Sequence, residues 1–427
     1  MKTYDLIVIG GGPAGSASAI FLAQRGYRVA LLDRANFPRD KVCGEFISPG
    51  ADAILDSLGV LDRVNAACSM RLKGIAVSSY ETEGFSAEYP DCPKTGRVMT
   101  SLSLDRMTFD PILWEAAGEA GAERFPGFQA TDLILESGRV VGVKGWDAEK
   151  TVFELRARAV VDAGGRNAIS LRRLGLKREH SGEGKVALAA HWDGVYPPEP
   201  LCYMHVSRPG YTGLACVGPG RANIVLVVDQ KRLRGESVHE FYVRTVLGNP
   251  LRAGLLAQAQ PSEEARTIES LAFSVQPPKC GGLFLVGDAS GFIDPFTGEG
   301  IYLSLRSAQL ACETIADCLD ANDFSITRTA AYEDRRRAEF GRKFFLSRAL
   351  QFLLYRPVLC KAVTRIFARN ADLASRVVGV IGDYIEPASV VAPRFLLELV
   401  CRMAQFPAQD RAGLDFVNRL PEKFRAG

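Results

Sequence analysis

The run Gly10-x-Gly12-x-x-Gly15 constrains this chain more than any other feature, because of what flanks it. An apolar run, Tyr4 to Ile9, leads into it. Small residues of helical composition, Ser16 to Arg25, follow, and Gly26 stops them. A second apolar run, Arg28 to Leu32, then ends at Asp33. Strand, glycine turn, helix, strand and acid within about thirty residues form the βαβ pattern that holds a dinucleotide. Gly10 suits the tight turn, Gly12 lets backbone approach a pyrophosphate, and Gly15 lets helix and strand pack closely. Pro13 and Ala14 belong to the turn, and the helix start after it offers unpaired amides and a partial positive charge that favour phosphate. Asp33 is placed to accept from ribose hydroxyls, and an acid there disfavours a phosphorylated ribose.

A second constellation lies far along the chain. The apolar strand Leu283 to Val286 ends in Gly287-Asp288, and the glycine-rich stretch through Thr297-Gly298-Glu299-Gly300-Ile301 opens a helix reaching about Leu319. Asp288 is placed to bind a polyol, and the helix start would favour negative charge on an electron-rich ring. Arg39 and Lys41, on the loop 36–50, suit the pyrophosphate or a nicotinamide phosphate. No second Gly-x-Gly-x-x-Gly follows a strand, so a dedicated nicotinamide domain is not expected.

The rest of the chain reads as one large protein of several lobes. Its 427 residues suit more than one core. From Arg71 to Tyr89 the hydrophobic alternation has period two, as in antiparallel strands, and a second antiparallel set runs from Val186 to Asp229. These pieces interleave with the glycine-fingerprint pieces. The expected organisation is α/β: a discontinuous Rossmann-like dinucleotide domain (1–70, 97–185 and 276–330), an antiparallel-sheet substrate domain (71–96 and 186–275), and a helical C-terminal region (331–427). That last region holds 17 Lys+Arg against 10 Asp+Glu, and the excess concentrates between Arg335 and Arg369. Pro357 should break it into two helices. Such helices either cap the core or rest on an anionic membrane through 335–369. Ten cysteines without a C-x-x-C pair suit reduced cytoplasmic thiols, and four histidines lack metal-ligand spacing, so no metal is expected. A net charge of +3 gives no reason to expect nucleic acid.

Taken together, these motifs resemble the FAD-binding set of the p-hydroxybenzoate hydroxylase-like flavoproteins. Pro38 to Glu45 and Thr297 to Ile301 look most like the geranylgeranyl reductase family within them. Asp162-Ala163-Gly164-Gly165-Arg166 resembles the middle motif, with Ser170 to Gly175 as a shortened form of the helix after it. Leu104-Asp105-Arg106-x-x-Phe109-Asp110 resembles the helix whose Arg meets the cofactor. The resemblance covers about residues 4–320. It implies FAD held by the first turn, by Asp33 and Arg34, by Arg39, Lys41, Cys43 and Gly44, by Arg106 and Gly164, and by Asp288, Gly298, Gly300 and Ile301. It departs at Glu45, where many reductases have glycine. It departs again at Gly210-Tyr211-Thr212-Gly213-Leu214-Ala215, where reductases carry a tryptophan. The Trp-x-Trp-x-Ile-Pro signature of flavin halogenases is absent.

The resemblance implies an FAD-dependent oxidoreductase with NADPH or NADH as transient reductant. A monooxygenase acting on an aromatic or polyketide-like lipophilic molecule is the first expectation, and a reductase of isoprenoid double bonds is the alternative. A flavin-binding interaction protein without turnover is a third reading. Cys43, on the loop expected to cross the flavin, would modulate turnover, and His205, Tyr211 and Leu214 would line the substrate cavity.

Overall fold

The computed structural model describes residues 3–80, 82–179, 184–268, 271–292 and 295–404; Asp294 of the second glycine-rich stretch, and His180, lie outside them. The chain divides into two compact units. One comprises residues 1–69, 103–185 and 269–341, the other 70–102, 186–268 and 342–427.

Apart from a one-residue shift at Met70, this division differs from the expected one at three places, each for a packing reason. Residues 97–102 stay with the second unit because Ser101 and Leu102 pair antiparallel with Leu72 and Arg71. Residues 269–275 stay with the first because strand Phe273–Val275 pairs with Lys177–Glu179. The helical region is not a separate body. Near its start, Tyr332 donates a 2.8 Å hydrogen bond to the Leu285 carbonyl and packs edge-on against Phe284. Beyond residue 341 its helices belong to the second unit.

The first unit is built on a sheet ordered Glu123–Pro126, Val29–Asp33, Thr3–Ile9, Val152–Asp162, Arg139–Trp146, Gln129–Glu136, with Leu283–Leu285 also pairing Val152–Asp162. The first four strands and Leu283–Leu285 run parallel. Leu6, Ile7 and Val8 are fully buried, as expected of a strand covered on both faces. Ile9 sits in register with Leu32 and Asp162, and Asp162 with Leu285. The glycine turn, the loop Ala163–Gly165 and the Gly287-Asp288 turn therefore leave the sheet together at its carboxyl edge, where open parallel sheets bind ligands. Ser137 and Gly138, both with positive φ, turn Gln129–Glu136 back into Arg139–Trp146.

The second unit carries the sheet Lys185–Asp193, Arg221–Asp229, Gly210–Gly218, Leu201–Val206, Gly74–Ser79, Thr82–Glu88. It is antiparallel except where Leu201–Val206 meets Gly74–Ser79. Those two strands come from separate chain segments, so no hairpin dictates their direction. One face buries Leu188, Trp192, Leu214 and Leu226 against Phe241, Tyr242, Val246 and Leu256. There the Tyr242 hydroxyl accepts from Trp192 Nε1 (2.9 Å) and donates to the Ile224 carbonyl (2.8 Å).

Pro357 does break the tail: helix Ile326–Leu354 ends, and Pro357–Arg369 begins with that proline in its first turn. The new helix buries Cys360, Thr364, Ile366 and Phe367 and packs on strands Gly74–Ser79 and Thr82–Glu88. Phe367 meets Phe85 edge-on, with centroids 5.3 Å apart. Phe367→Ala should lower stability by about 3–5 kcal/mol, the range for a truncated buried aromatic. Urea unfolding followed by tryptophan fluorescence measures this, and an unchanged midpoint would mean that the helix does not hold the sheet.

Candidate functional site

The glycine turn is set by close approach. Gly10 has φ of +98°, and a Cβ there would lie 2.6 Å from the Ala163 carbonyl oxygen. A Cβ on Gly15 would overlap the Gly10 carbonyl oxygen itself. At Gly12 the neighbours are of another kind, because a Cβ would meet only the Arg39 and Arg106 guanidiniums, at 3.3 and 3.8 Å. Helix Pro13–Gln24 starts there without a side-chain cap. Its first amides thus open onto a space faced by two guanidiniums, the donor set a pyrophosphate needs. Asp33 accepts from the amides of Gly11 (2.7 Å) and Ala35 (2.8 Å), which ties the turn to the tip of the second strand.

The cations are held by a carboxylate to which the sequence alone assigns no role. Arg106 makes a two-pronged ion pair with Asp110 through Nε (2.6 Å) and a terminal nitrogen (2.7 Å), and Arg39 reaches the same carboxylate at 3.2 Å. Asp110 is fully buried. Its bridge fixes both guanidiniums in advance, so little side-chain entropy is left to lose on ligand binding. Phe37 stacks on Trp114 at 4.5 Å, and Arg39 lies over Phe37, so the loop after residue 36 is anchored on the helix that carries Arg106. The Cys43 sulfur accepts the Glu45 amide at 3.3 Å and lies beside the Arg106 guanidinium. Glu45 sits at φ +55°, the region that glycine occupies freely, and its carboxylate accepts the Arg106 amide at 3.1 Å. That bond holds a conformation that glycine adopts more freely.

Lys41, Arg166 and Asp288 complete the arrangement. Lys41 keeps open surface although protein atoms crowd it on most sides, the position of a group lining a cleft. Burial pushes its ammonium below the ordinary lysine range, and Asp288 draws it back up. Burial likewise pushes the Asp288 carboxyl up, against the pull of Lys41, Arg166 and Arg106. Asp162 holds the neighbouring loop by accepting from the Gly164 amide (3.0 Å), the Ser170 amide (2.9 Å) and the Ser170 hydroxyl (2.6 Å). Gly298 has φ of +70° against the Phe46 ring, and a Cβ on Gly300 would meet open space. Helix Gly300–Asp320 also starts without a side-chain cap. Ile301 is buried behind it, Gly44 borders open space, and Arg34 is exposed.

The three residues expected to line a substrate cavity do not come together. His205 and Leu214 face the covered side of the second unit's sheet. His205 Nδ1 lies 2.7 Å from the Ser78 hydroxyl, and its cross-strand partner Thr212 accepts from buried Arg252 at 2.8 Å. These are core residues. Tyr211, one step along the strand from Thr212, points to the opposite face.

A family model described as an FAD binding domain matches residues 3–342. The chain belongs to that family. It is 30% identical over 362 residues to the 1H-pyrrole-2-carbonyl-[peptidyl-carrier protein] chlorinase of Pseudomonas fluorescens, covering 77% of this chain and 79% of that one. It is 30% identical over 348 residues to digeranylgeranylglycerophospholipid reductase 2 of Methanopyrus kandleri, covering 80% and 84%. A flavoprotein/dehydrogenase structure from Cytophaga hutchinsonii superposes with a TM-score of 0.82 at 22% identity, over 95% of this chain and all of the other. The protein is an FAD-dependent flavoprotein oxidoreductase. Its first unit fits that cofactor: two uncapped helix starts, a cationic floor over Gly12 and a carboxylate at Asp288 answer to a pyrophosphate, an electron-rich ring and a polyol.

Gly12→Val should abolish FAD binding while the chain still folds, because its branched side chain would fill the space before Arg39 and Arg106. Absorbance of the purified variant reads this directly, and stoichiometric flavin would contradict the placement. His205 yields a second expectation. Burial and then the Arg252 charge hold its imidazole down at about 4, from an ordinary 6.5. The folded state refuses a proton that the unfolded chain takes, so this contribution is complete above pH 6.5 and is lost as pH falls toward 4. The loss should total roughly 3 kcal/mol. Urea midpoints across that range should fall more steeply for the wild type than for His205→Gln.

Proposed function

We propose that this oxidoreductase reduces carbon–carbon double bonds in a lipophilic, isoprenoid-like substrate, with NADPH or NADH as the transient reductant. The observation that carries the reading is the Cys43 thiol, held on the loop of the cofactor cleft by the amide of Glu45, whose own carboxylate accepts the Arg106 amide. An accessible thiol is readily oxidised. Hydride transfer from flavin to carbon forms no oxidant of its own, so a reduced thiol in the cleft is compatible with it. The loops that line the cleft, Pro38 to Glu45 and Thr297 to Ile301, are also those through which the sequence resembles geranylgeranyl reductases. The relative from Methanopyrus kandleri adds support from outside the chain.

FAD held by these residues and reduced by the nicotinamide would supply a hydride for one carbon of the double bond, the other carbon taking a proton from the solvent. The chain's own residues do the rest. Arg39 and Arg106, braced by Asp110, hold phosphate charge, and Asp288 orients the polyol. The start of helix Gly300–Asp320 favours the anionic form of the ring. No protein nucleophile is required.

The experiment is anaerobic. The enzyme is reduced with NADPH and then mixed, without oxygen, with a geranylgeranylated glycerolipid. The flavin should regain its oxidised spectrum, and the lipid should gain two hydrogens per double bond by mass spectrometry. Reoxidation that requires oxygen and leaves an oxygenated product, or a halogenated one when halide is present, would overturn the reading in favour of oxygen transfer or halogenation.

A further inference from the structure

Between residues 342 and 369 the chain carries seven basic residues and no carboxylate. Lys343 turns inward to an ion pair with buried Asp383. The other six, Arg342, Arg348, Arg356, Lys361, Arg365 and Arg369, keep surface open to solvent. Steps of three and four residues place them on stripes. Arg342, Phe345 and Arg348 share one face of helix Ile326–Leu354, and Val358, Lys361, Arg365 and Arg369 share one face of helix Pro357–Arg369. The opposite face of the second helix is accounted for, since Phe367 and its neighbours pack on the sheet. Apolar side chains lie exposed among the cations: Phe345 at 41%, Tyr355 at 40% and Val358 at 59%.

We propose that this face docks on the surface of an anionic phospholipid bilayer. Cations without acids between them attract anionic headgroups, and guanidiniums match phosphate geometry. An acidic protein would suit the basic face but gives no reason for interspersed aromatic and aliphatic side chains. A bilayer does, because such groups enter the boundary between headgroups and acyl chains. No helix among the described residues is long and apolar enough to cross a membrane, so the attachment is peripheral and reversible. The inference rests on this surface and not on the double-bond reading, although a lipid substrate would be met there.

The test is sedimentation of the FAD-loaded protein with vesicles of phosphatidylcholine alone and of phosphatidylcholine mixed with phosphatidylglycerol. The protein should pellet with the mixed vesicles only, and high salt should release it. The triple variant Arg342→Glu/Arg348→Glu/Lys361→Glu should lower the partition coefficient at least about tenfold, with flavin content and unfolding midpoint kept. Arg221→Glu, on an exposed position elsewhere, should leave it unchanged. Equal pelleting with both vesicles, none with either, or full binding by the triple variant would overturn the proposal. So would retention on an acidic carrier protein without any binding to vesicles. The lipid and salt dependence of the wild type decides the matter even if the variant fails to fold, and none of these readings depends on turnover.

Discussion

No side chain fits between the first helix and the turn that precedes it, and the cofactor half of the molecule depends on that contact. With only hydrogen on Gly15, the helix rests on the Gly10 carbonyl, and Gly10 in turn rests on Ala163. The two contacts bring the tips of Thr3–Ile9 and Val152–Asp162 together with the helix start. Asp33 then fastens the tip of Val29–Asp33 to Gly11. Three chain segments, distant in sequence, are thereby fixed to within hydrogen-bond tolerance before any ligand arrives. Preorganisation of this kind lowers the ordering cost of binding.

Such a site must concentrate positive charge without flying apart. Arg39, Lys41, Arg106 and Arg166 lie near enough for their charges to disfavour one another, and burial adds to the cost. Two carboxylates answer this in different ways. Asp110 is sealed from solvent and neutralises Arg106 and Arg39 from behind, which leaves their remaining donors facing the cleft. Asp288 faces the cleft itself. It can be given up to a ligand's hydroxyls without releasing the arginines, because Asp110 still holds them.

The cofactor half was legible because its constraints are local. Glycine turns, strand–helix order and a following acid sit within about thirty residues, and the structure keeps them nearly in place. Asp110 was not read as a site residue: its spacing of four from Arg106 suits a helix-face pair, but pair spacing does not show that Arg39 would join it. His205 and Leu214 show where local reading stops. Period-two alternation gives each a face of its own strand, but the face that is covered depends on helices Val238–Leu247 and Pro250–Leu255, which arrive later in the chain. The C-terminal region was misdivided for the same reason: its composition marks it as distinct, while its packing on strands Gly74–Ser79 and Thr82–Glu88 does not. Glu45 is the reverse case, a residue that departs from glycine and yet keeps a glycine-like backbone through one hydrogen bond.

The same residue types therefore do different work in the two units. In the cleft, Arg39 and Arg106 have a fixed carboxylate partner, little freedom and low-dielectric surroundings, so their remaining donors act on a ligand at close range. Along 342–369, arginines stand on exposed positions of the helices with no acid between them in the sequence, where attraction is long-ranged and falls with ionic strength. The first arrangement suits a small anion held in one orientation. The second suits a broad, diffuse charge whose position need not be fixed. Lys343 marks the boundary between the two regimes: on the same helix as the exposed arginines, it is drawn inward by Asp383 and becomes part of the fold.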